Sequence, residues 1–201
     1  MSNICFRTFE ECDIDAIYRW KNDDELNRLA IGLNKRVSHD DVAKWVRSKM
    51  PHNPYEIFWA ICTNDEEQRI IGYACLTKIH YINSSAHFSG ILIGDPAYHD
   101  GITWIEVNKF VLEYVFERLG LNRMYGSAMI EQEQSNTMGR ALFLQTEGVE
   151  RQAVYKNGRF YDVELHSILK DEYFEHKAKG EYETASIMKR IIRLKKGNIQ
   201  S

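Results

Sequence analysis

The chain lacks the cysteine and histidine patterns that mark metal-binding proteins. Its 201 residues include four cysteines, which are widely spaced. No CxxC pair and no cysteine–histidine cluster occurs, so we expect no metal site. Cys62 and Cys75 lie inside apolar, strand-like runs and are predicted to be small core residues.

Long hydrophobic runs and an excess of one charge are also absent. No apolar run approaches the ~20 residues that a membrane-spanning helix needs, and the first residues show no basic-then-apolar secretion pattern. The net charge is −3, which gives no electrostatic reason to expect a nucleic-acid partner. We therefore expect a cytoplasmic protein that binds neither a membrane nor a nucleic acid.

What the sequence does contain is typical of one globular domain with a short appendage. Hydrophobic residues make up 44% of the chain and charged residues 27%, as in proteins with a packed core and a solvated surface. The periodicity predicts a strand, two helices, three strands, a helix, a strand, a helix and two strands. This order predicts an α+β (mixed α/β) fold rather than an all-parallel sheet.

Local patterns predict several boundaries of these elements. Asp13 is predicted to cap a first helix that continues to about Arg28, and Ser38 is predicted to cap the second. The dipeptide Asn157-Gly158 is predicted to be the turn of a closing hairpin.

The stretch Gly90–Glu113 contains an apolar strand, a turn with one glycine, and an amphipathic helix. This order places backbone N–H groups and a helix N-terminus at the end of a buried strand. Unpaired N–H groups and the helix dipole both favour negative charge. The junction is therefore a candidate site for a phosphate-bearing ligand such as a nucleotide-like cofactor.

Three further segments occur in a characteristic order over about residues 4 to 170. They are Phe6-Arg-Thr-Phe with Trp20-Lys-Asn-Asp, then Leu119-Gly-Leu-Asn-Arg, and finally residues 147–163. Together they resemble the opening strand and helix, the central helix–strand junction and the closing hairpin of the GNAT superfamily of acyl-CoA N-acyltransferases. The branch that they resemble most is typified by ribosomal-protein alanine N-acetyltransferases, with polyamine and amino-sugar acetyltransferases beside it.

The resemblance implies a GNAT-like, mostly antiparallel and splayed central sheet flanked by helices. Residues 1–170 would form the acetyltransferase domain and residues 171–201 a C-terminal helical extension. Acetyl-CoA would be the cofactor, with its pantetheine arm lying against the main chain of Ile91, Leu92 and Ile93 like an added strand. The pyrophosphate would rest on the loop formed by His99, Asp100, Gly101, Ile102, Thr103 and Trp104.

The loop departs from the family pattern Gln/Arg-x-x-Gly-x-Gly/Ala. Aligned on Gly101, it lacks the basic residue and the second glycine; aligned on Glu106, it lacks both glycines. Asp100 would add a negative charge beside a pyrophosphate, which is unfavourable at low dielectric. Backbone donors can nevertheless act whatever the side chain.

The next family motif, Asn-x-x-Ser/Ala-x-x-x-Tyr, falls on a helix predicted over Ser135–Leu144, and two registers stay open. Without a gap, Ser135 takes the serine position; a shift of four residues places Asn136 on the asparagine and Phe143 on the tyrosine. Both residues are therefore predicted to contact the cofactor. The tyrosine that often protonates the leaving thiolate is absent in either register, so another tyrosine, water or Ser135 would supply that proton.

Acetyl transfer to an amine needs a deprotonated amine, a polarised carbonyl and a stabilised thiolate. Glu106, His87 and Ser135 are the candidate catalytic residues. Each has a structural alternative, because Glu106 suits a helix N-terminus, His87 can be a surface or satisfied histidine, and Ser135 can be a helix N-cap. Asp95 is interpreted as a turn residue before Pro96 rather than as a base.

The acceptor site is predicted at the end of the first helix and on the closing hairpin. Trp20 and Asn22 are the candidates on the helix, and Tyr155 and Tyr161 those on the hairpin. The alternatives are core packing for Trp20 and cross-strand aromatic pairing for the tyrosines.

The combined prediction is an acetyl-CoA-dependent N-acetyltransferase in which a neutral primary amine attacks the thioester directly. Acidic residues near the cleft favour a small-molecule or peptide amine that arrives as a cation, such as a protein N-terminus, an amino sugar, a polyamine or an antibiotic. Two alternatives stay open. One is a catalytically degenerate GNAT-fold protein that binds a ligand or partner, and the other is an interaction protein acting through residues 171–201. The basic run from Lys189 is interpreted as a solvated helix face, with contact with a second subunit, as in a homodimer, as its alternative.

Overall fold

The computed structural model describes residues 3–32 and 35–198 of the chain. Within them it contains seven strands and six α-helices, which confirms the predicted mixed α/β class. The strands are β1 (Ile4–Arg7), β2 (Ile57–Thr63), β3 (Ile70–His80), β4 (Ser85–Ile93), β5 (Arg123–Met129), β6 (Gln145–Lys156) and β7 (Arg159–Leu169). The helices are α1 (Ile14–Lys21), α2 (His39–Lys49), α3 (Ile102–Glu113), α4 (Glu133–Ala141), α5 (Lys170–Ala178) and α6 (Thr184–Asn198). None of the helices in these ranges is both long and apolar enough to cross a membrane.

The strands form a sheet in the order β1-β2-β3-β4-β5-β7-β6. The pairs β1–β2, β2–β3, β5–β7 and β6–β7 are antiparallel, whereas β4 and β5 are parallel, so the predicted mostly antiparallel sheet is confirmed. The β4–β5 pairing covers only Ser85–His87 against Arg123–Tyr125. The rest of β4, from Phe88 to Ile93, is therefore not paired with β5.

Contacts along the chain divide it into two compact units. The first contains the chain up to Ile79 together with Phe88–Val107, and the second contains His80–His87 together with the chain from Asn108 onward. Neither unit is one continuous segment. This division does not follow the boundary predicted at residue 170, which stays a prediction.

In the first unit, α1 and α2 contribute their apolar faces to a core shared with β2 and β3. Ile17 of α1 and Val42 and Val46 of α2 are almost fully buried, as is Ala60 of β2. Val42 and Val46 are four residues apart, so they lie on the same face of their helix. The 3.6-residue period visible in the sequence therefore corresponds to real core positions.

Helix α1 ends at Lys21 rather than at the predicted Arg28. The carboxylate of Asp23 accepts the N–H groups of Glu25 and Leu26, each at 3.0 Å. An aspartate that bonds the main chain just after it forms an Asx turn and starts a new chain direction. This local bond competes with continuation of the helix.

The two predicted N-caps have different outcomes. Asp13 does not cap α1 through its side chain; its carboxylate accepts the Glu10 N–H at 2.8 Å and both terminal nitrogens of Arg7 at 2.8 Å. Ser38 does cap α2, because its Oγ accepts the Asp41 N–H at 3.1 Å. The Ser38 prediction is confirmed, and the Asp13 prediction was wrong because an ion pair uses the carboxylate.

In the second unit, the predicted turns are confirmed by their backbone angles. Helix α3 continues as a single π-helical turn over Tyr114–Arg118, and Gly120 then has a φ of +64°. Asn157 and Gly158 have φ values of +50° and +81°, as a type I′ hairpin turn requires. Helix α4 begins at Glu133 and ends before the predicted Leu144.

Candidate functional site

The segment predicted to recognise the pantetheine arm is the end of β4. Ile91, Leu92 and Ile93 are the last three residues of this strand. Strand β5 pairs with none of the described β4 residues beyond His87, so it does not use the backbone of this segment. An extended strand edge of this kind can accept a peptide-like ligand as an additional strand.

Strand β4 ends against the ring of Trp20. The N–H groups of Gly94 and Asp95 both donate to the Ile71 carbonyl, at 2.8 and 3.1 Å. A Cβ on Gly94 would lie 2.0 Å from Cε2 of Trp20, so only glycine permits this approach. The structure thus places Trp20, a predicted acceptor residue, in the core of the first unit, with 8% of its surface exposed.

Asn22, the other predicted acceptor residue of the first helix, holds the segment that leads into α2. Its Nδ2 donates to the carbonyls of Tyr18 and Val37 at 3.0 and 3.1 Å, and its Oδ1 accepts the Val37 N–H at 3.0 Å. Both donors and the acceptor of the amide are therefore engaged by main chain. In this structure Asn22 positions a loop.

The turn after β4 is organised by Asp95. Its Oδ1 accepts the Ala97 N–H at 3.0 Å and its Oδ2 pairs with Arg69 at 2.7 Å. Burial acts to raise the pKa of Asp95, but the Arg69 and Ala97 bonds outweigh it, and the pKa is lowered. A carboxylate with a lowered pKa is a poor general base, which agrees with its interpretation as a turn residue.

The predicted pyrophosphate loop contains two side chains that bond to main chain. His99 lies with Nε2 2.9 Å from the Ile93 carbonyl; because a carbonyl only accepts, Nε2 carries the proton. Asp100 accepts the Thr103 N–H through Oδ1 at 2.9 Å and so caps the start of α3. Gly101, between them and the helix, has a φ of +77°, a conformation that other residues adopt at a cost.

The remaining loop residues surround the first turn of α3. Ile102 is 43% exposed, Thr103 is 3% exposed, and Trp104 is half-buried. Glu106, the predicted catalytic carboxylate, is half-buried one turn later on the same helix. The loop and Glu106 therefore belong to one short stretch of backbone, as the sequence predicted.

His87, the predicted catalytic histidine, occupies the last position at which β4 pairs with β5. Its partner in the register is Tyr125, and the two ring centroids are 5.1 Å apart. The guanidinium of Arg123 lies 5.5 Å from the Tyr125 ring and binds Glu147 through two bonds of 2.7 and 2.5 Å. The sequence analysis missed Tyr125, because no motif marks it and its partner His87 lies 38 residues earlier in the chain.

Asn136, a predicted cofactor contact on α4, belongs to a buried hydrogen-bond network. Its Nδ2 donates to the carbonyls of Met129 and Ile130 at 3.0 and 3.1 Å, and its Oδ1 lies 3.1 Å from Nε2 of His166. The amide oxygen can only accept here, so His166 carries its proton on Nε2. Nδ1 of His166 is buried without a partner in the described structure.

Ser135, predicted both as a catalytic residue and as a cofactor contact, is half-buried in the first turn of α4. The N-cap of this helix is Gln132, so the alternative of Ser135 as the N-cap was wrong. The helix starts earlier than its sequence pattern suggests, and Ser135 is therefore its third residue. The catalytic role of Ser135 stays a prediction.

The two predicted acceptor tyrosines of the hairpin have different surroundings. Tyr155 is 57% exposed, and its ring centroid lies 4.9 Å from that of Phe160. Tyr161 is 6% exposed, with the guanidinium of Arg159 4.3 Å from its ring. The cross-strand aromatic pair expected as the alternative is present in Tyr155–Phe160, which flanks the turn.

Helices α5 and α6 pack against the end of α4, where the family tyrosine would stand. The Phe143 ring stacks on His176 at a centroid distance of 3.5 Å. Arg190 donates to the Ala141 carbonyl at 2.8 Å, and the Tyr182 hydroxyl donates to the Leu142 carbonyl at 3.2 Å. These bonds satisfy carbonyls that the end of a helix leaves unpaired.

The described side chains include no group of three or more histidine, cysteine, aspartate or glutamate residues arranged to hold a metal ion. The features that the structure does assemble are a strand end, a turn and a helix start in the first unit, and a histidine–tyrosine pair in the second.

Comparison with known proteins defines the class to which these features belong. Residues 3–142 match the model of the acetyltransferase (GNAT) domain. Spermidine N-acetyltransferase from Vibrio cholerae, solved in complex with CoA and spermine, has the same fold at a TM-score of 0.75 and 23% identity; the match covers 87% of this chain and 99% of that one. An acetyltransferase of the GNAT family from Bacillus anthracis gives a TM-score of 0.72 at 17% identity, covering 85% and 97%.

Two relatives are similar to the chain in sequence over most of their length. The uncharacterized N-acetyltransferase YoaA of Bacillus subtilis is 28% identical over 171 residues, which cover 83% of this chain and 93% of that protein. Spermidine N(1)-acetyltransferase of Vibrio cholerae is 24% identical over 172 residues, covering 86% and 96%. The chain belongs to the GNAT acetyltransferase family. It is an acetyl-CoA-dependent N-acetyltransferase. The ribosomal-protein branch stays a prediction.

Proposed function

We propose that this N-acetyltransferase binds acetyl-CoA along the end of β4 and transfers the acetyl group to a primary amine by direct attack on the thioester. The observation that carries the proposal is the backbone of Phe88–Ile93, which β5 does not pair and which leads directly to the start of α3. Amide groups of a pantetheine arm suit such a strand edge. The pyrophosphate suits the main-chain donors of the loop from His99 to Trp104.

His87 and Tyr125 are the acid–base pair that we propose for the chemistry. An imidazole can take the proton of an incoming ammonium, and a phenol can return a proton to a thiolate. The amine nitrogen would bond to the acetyl carbon, the C–S bond would break, and Tyr125 would protonate the departing sulfur. Tyr125 would thereby replace the tyrosine that this chain lacks on α4, while Glu106 and Ser135 stand as alternatives for the base and the thiolate contact.

The proposed acceptor is a small molecule or a peptide with a primary amine. The spermidine N-acetyltransferases among the relatives support a small amine. Four free cysteines support the proposed setting, a reducing cytoplasm. Contact between two copies in a homodimer stays a prediction.

A thermal-shift titration of the full chain with acetyl-CoA tests cofactor binding. A ligand at 100 times its dissociation constant should add about 2.7 kcal/mol to the free energy of unfolding. We expect a clear rise in Tm with acetyl-CoA and with CoA. The absence of a shift at millimolar acetyl-CoA would contradict the proposal, whereas binding without acetylation of any amine would favour the ligand-binding alternative.

Substitution of the histidine–tyrosine pair tests the chemistry. We expect His87→Gln and Tyr125→Phe each to lower kcat roughly 10²- to 10⁴-fold, the usual contribution of a general acid or base. The Tm rise with acetyl-CoA should be retained, because neither residue lies in Ile91–Ile93 or in the loop from His99 to Trp104, where the cofactor is proposed to bind. Tyr81→Phe is the matched control, since Tyr81 is 52% exposed and has no proposed role. Wild-type kcat in both variants would exclude His87 and Tyr125 as the general base and acid. Glu106 or Ser135 would then be the remaining candidates.

A further inference from the structure

Lys21, the last residue of α1, is a half-buried cation with no carboxylate partner among the described residues. Its Nζ lies 3.6 Å from the ring centroid of Trp45 on α2. Burial lowers the pKa of Lys21, and the nearby Cys75 thiol opposes this only in part. An ammonium group that is partly removed from water destabilises the fold unless another group compensates it.

The other lysine of this region is compensated. Lys49 binds Glu56 at 2.5 Å and lies 5.0 Å from the ring of Phe58. Phe58 in turn contacts Trp45 at a centroid distance of 5.4 Å. Glu56 is therefore already paired with Lys49, and within residues 3–32 and 35–198 no carboxylate neutralises the charge of Lys21.

The surroundings of Lys21 provide a second donor and a connection to β4. The Trp45 ring lies 5.9 Å from that of Tyr73, which packs against the core of the first unit. Burial raises the pKa of Tyr73, so its phenol keeps its proton and can act as a donor. Cys75 lies two residues further along β3, on the same face of the strand as Tyr73. The Cys75 thiol donates to the Gly90 carbonyl of β4 at 3.9 Å. The cluster of Lys21, Trp45, Tyr73 and Cys75 thus lies beside the strand proposed to hold the acetyl donor.

We propose that Lys21 and Tyr73 bind an anionic group carried by the acceptor, namely a carboxylate next to the reacting amine. The ammonium and the phenol are both donors, and an aromatic surface on one side keeps water from competing with them. The inference rests on the proposed function and narrows the acceptor to a zwitterionic amine, such as an amino acid or a peptide with an acidic group. A phosphate on the acceptor presents the same chemistry.

The same cluster disfavours a purely cationic acceptor. Aromatic rings that could surround an ammonium ion are present, but Lys21 already occupies the face of Trp45. A polyamine would place a like charge next to Lys21, which is unfavourable. The structure therefore predicts a preference opposite to that of a polyamine acetyltransferase.

Four primary amines distinguish these acceptors: glycine, glycinamide, aminoethyl phosphate and spermidine. We expect glycine to be acetylated with a KM roughly 10- to 100-fold lower than glycinamide, as one or two charge-assisted hydrogen bonds would give. Spermidine should be the poorest acceptor. A preference for aminoethyl phosphate over glycine would assign the anion as a phosphate. A preference for spermidine or glycinamide would overturn the proposal.

Three variants locate the effect on the cluster. Lys21→Met should raise the KM for glycine to that for glycinamide and leave the KM for acetyl-CoA unchanged, whereas Lys21→Arg should retain part of the preference. Tyr73→Phe keeps the ring contacts and removes only the hydroxyl, so it tests the site even if Lys21→Met folds poorly. Unchanged selectivity in both Lys21→Met and Tyr73→Phe would overturn the proposal.

Ligand binding without catalysis separates this inference from the proposed function. N-acetylglycine and its amide serve as probes in a thermal-shift titration without acetyl-CoA. We expect N-acetylglycine to raise the Tm of the wild type but not of Lys21→Met, and the amide to raise neither. This result would support the anion site even if no acetyl transfer were detected. Equal shifts with both probes, or none with either, would overturn the proposal.

Discussion

Asp100 occupies an N–H group that a phosphate could use. Its Oδ1 caps α3 through the Thr103 N–H, and its charge lies in the loop proposed to receive a pyrophosphate. The sequence predicted an unfavourable charge at this position, and the structure adds that the carboxylate has a local structural role. The N–H bond and the charge can be separated by substitution, because the amide oxygen of asparagine can accept the same Thr103 N–H.

We expect Asp100→Asn to strengthen acetyl-CoA binding while the stability of the protein stays close to that of the wild type. Removal of one negative charge near the pyrophosphate should lower the Kd of acetyl-CoA by roughly three- to tenfold at low salt. Isothermal titration calorimetry measures this. Asp100→Ala, which also removes the cap, should lose about 1 kcal/mol of stability. An unchanged or weaker affinity in Asp100→Asn would show that the pyrophosphate lies elsewhere.

The role of Ser38, which depends on a local bond, was predictable, and roles that depend on distant partners were not. Ser38 was identified because a cap bonds to an N–H three residues away. Lys21 and Tyr125 were missed because their neighbours come from other elements, and no spacing along the chain encodes those contacts. His166 was missed for the same reason, since its partner Asn136 is 30 residues away.

At the scale of elements, the C-terminal helices are integrated into the second unit through Arg190 of α6. Its guanidinium donates to the carbonyls of Ala141 and Glu181, at 2.8 and 2.5 Å, and covers the ring of Phe143 at 4.3 Å. One side chain thus joins α4, α6 and the segment between α5 and α6. This arrangement argues against an extension that serves only to capture a partner.

We expect Arg190→Met to lower the free energy of unfolding by roughly 2–4 kcal/mol, because it removes two charge-assisted hydrogen bonds and leaves their carbonyls unpaired. Urea denaturation followed by circular dichroism measures this. Arg193→Met, an exposed position on the same helix, is the matched control and should change stability little. If both variants unfold at the same urea concentration as the wild type, the extension does not support the fold.

The types of the elements were largely predictable, whereas some of their ends were not. Alternation and apolar runs predicted most strands, because burial on one or both faces constrains the sequence directly. The mostly exposed β6 was predicted instead as one arm of the hairpin with the Asn-Gly turn. The end of α1 was misplaced because the side chain of Asp23 bonds to the following main chain. The start of α4 was misplaced because Gln132, a weak cap by residue type, takes the N-cap position.

At the scale of the whole molecule, acid should destabilise the protein through His166. Burial lowers the pKa of this histidine, and its attraction to Glu164 compensates only in part. A lowered pKa means that the unfolded chain binds a proton more readily than the folded chain. Stability is therefore fully present above the ordinary histidine pKa of about 6.5 and is lost as the pH falls through and below that value.

We expect the free energy of unfolding to decrease from pH 7 to pH 5, and His166→Gln to reduce this decrease. Glutamine can still donate to Asn136 but does not titrate. Denaturant titrations at a series of pH values measure the slope. Glu164, whose pKa is lowered through its bonds to Thr146 and Arg140 despite the opposing effect of burial, contributes mainly at lower pH. A variant with the wild-type slope would show that other groups cause the acid sensitivity.

The interleaving of the two units along the chain has a consequence for synthesis on the ribosome. All described residues of the first unit precede Asn108, so this unit can pack while the rest of the chain is still being translated. The segment His80–His87 emerges early as well, but its pairing partner Arg123–Tyr125 does not yet exist. A nascent chain paused at this length would present an unsatisfied strand end, the kind of surface on which growing polypeptides associate with one another.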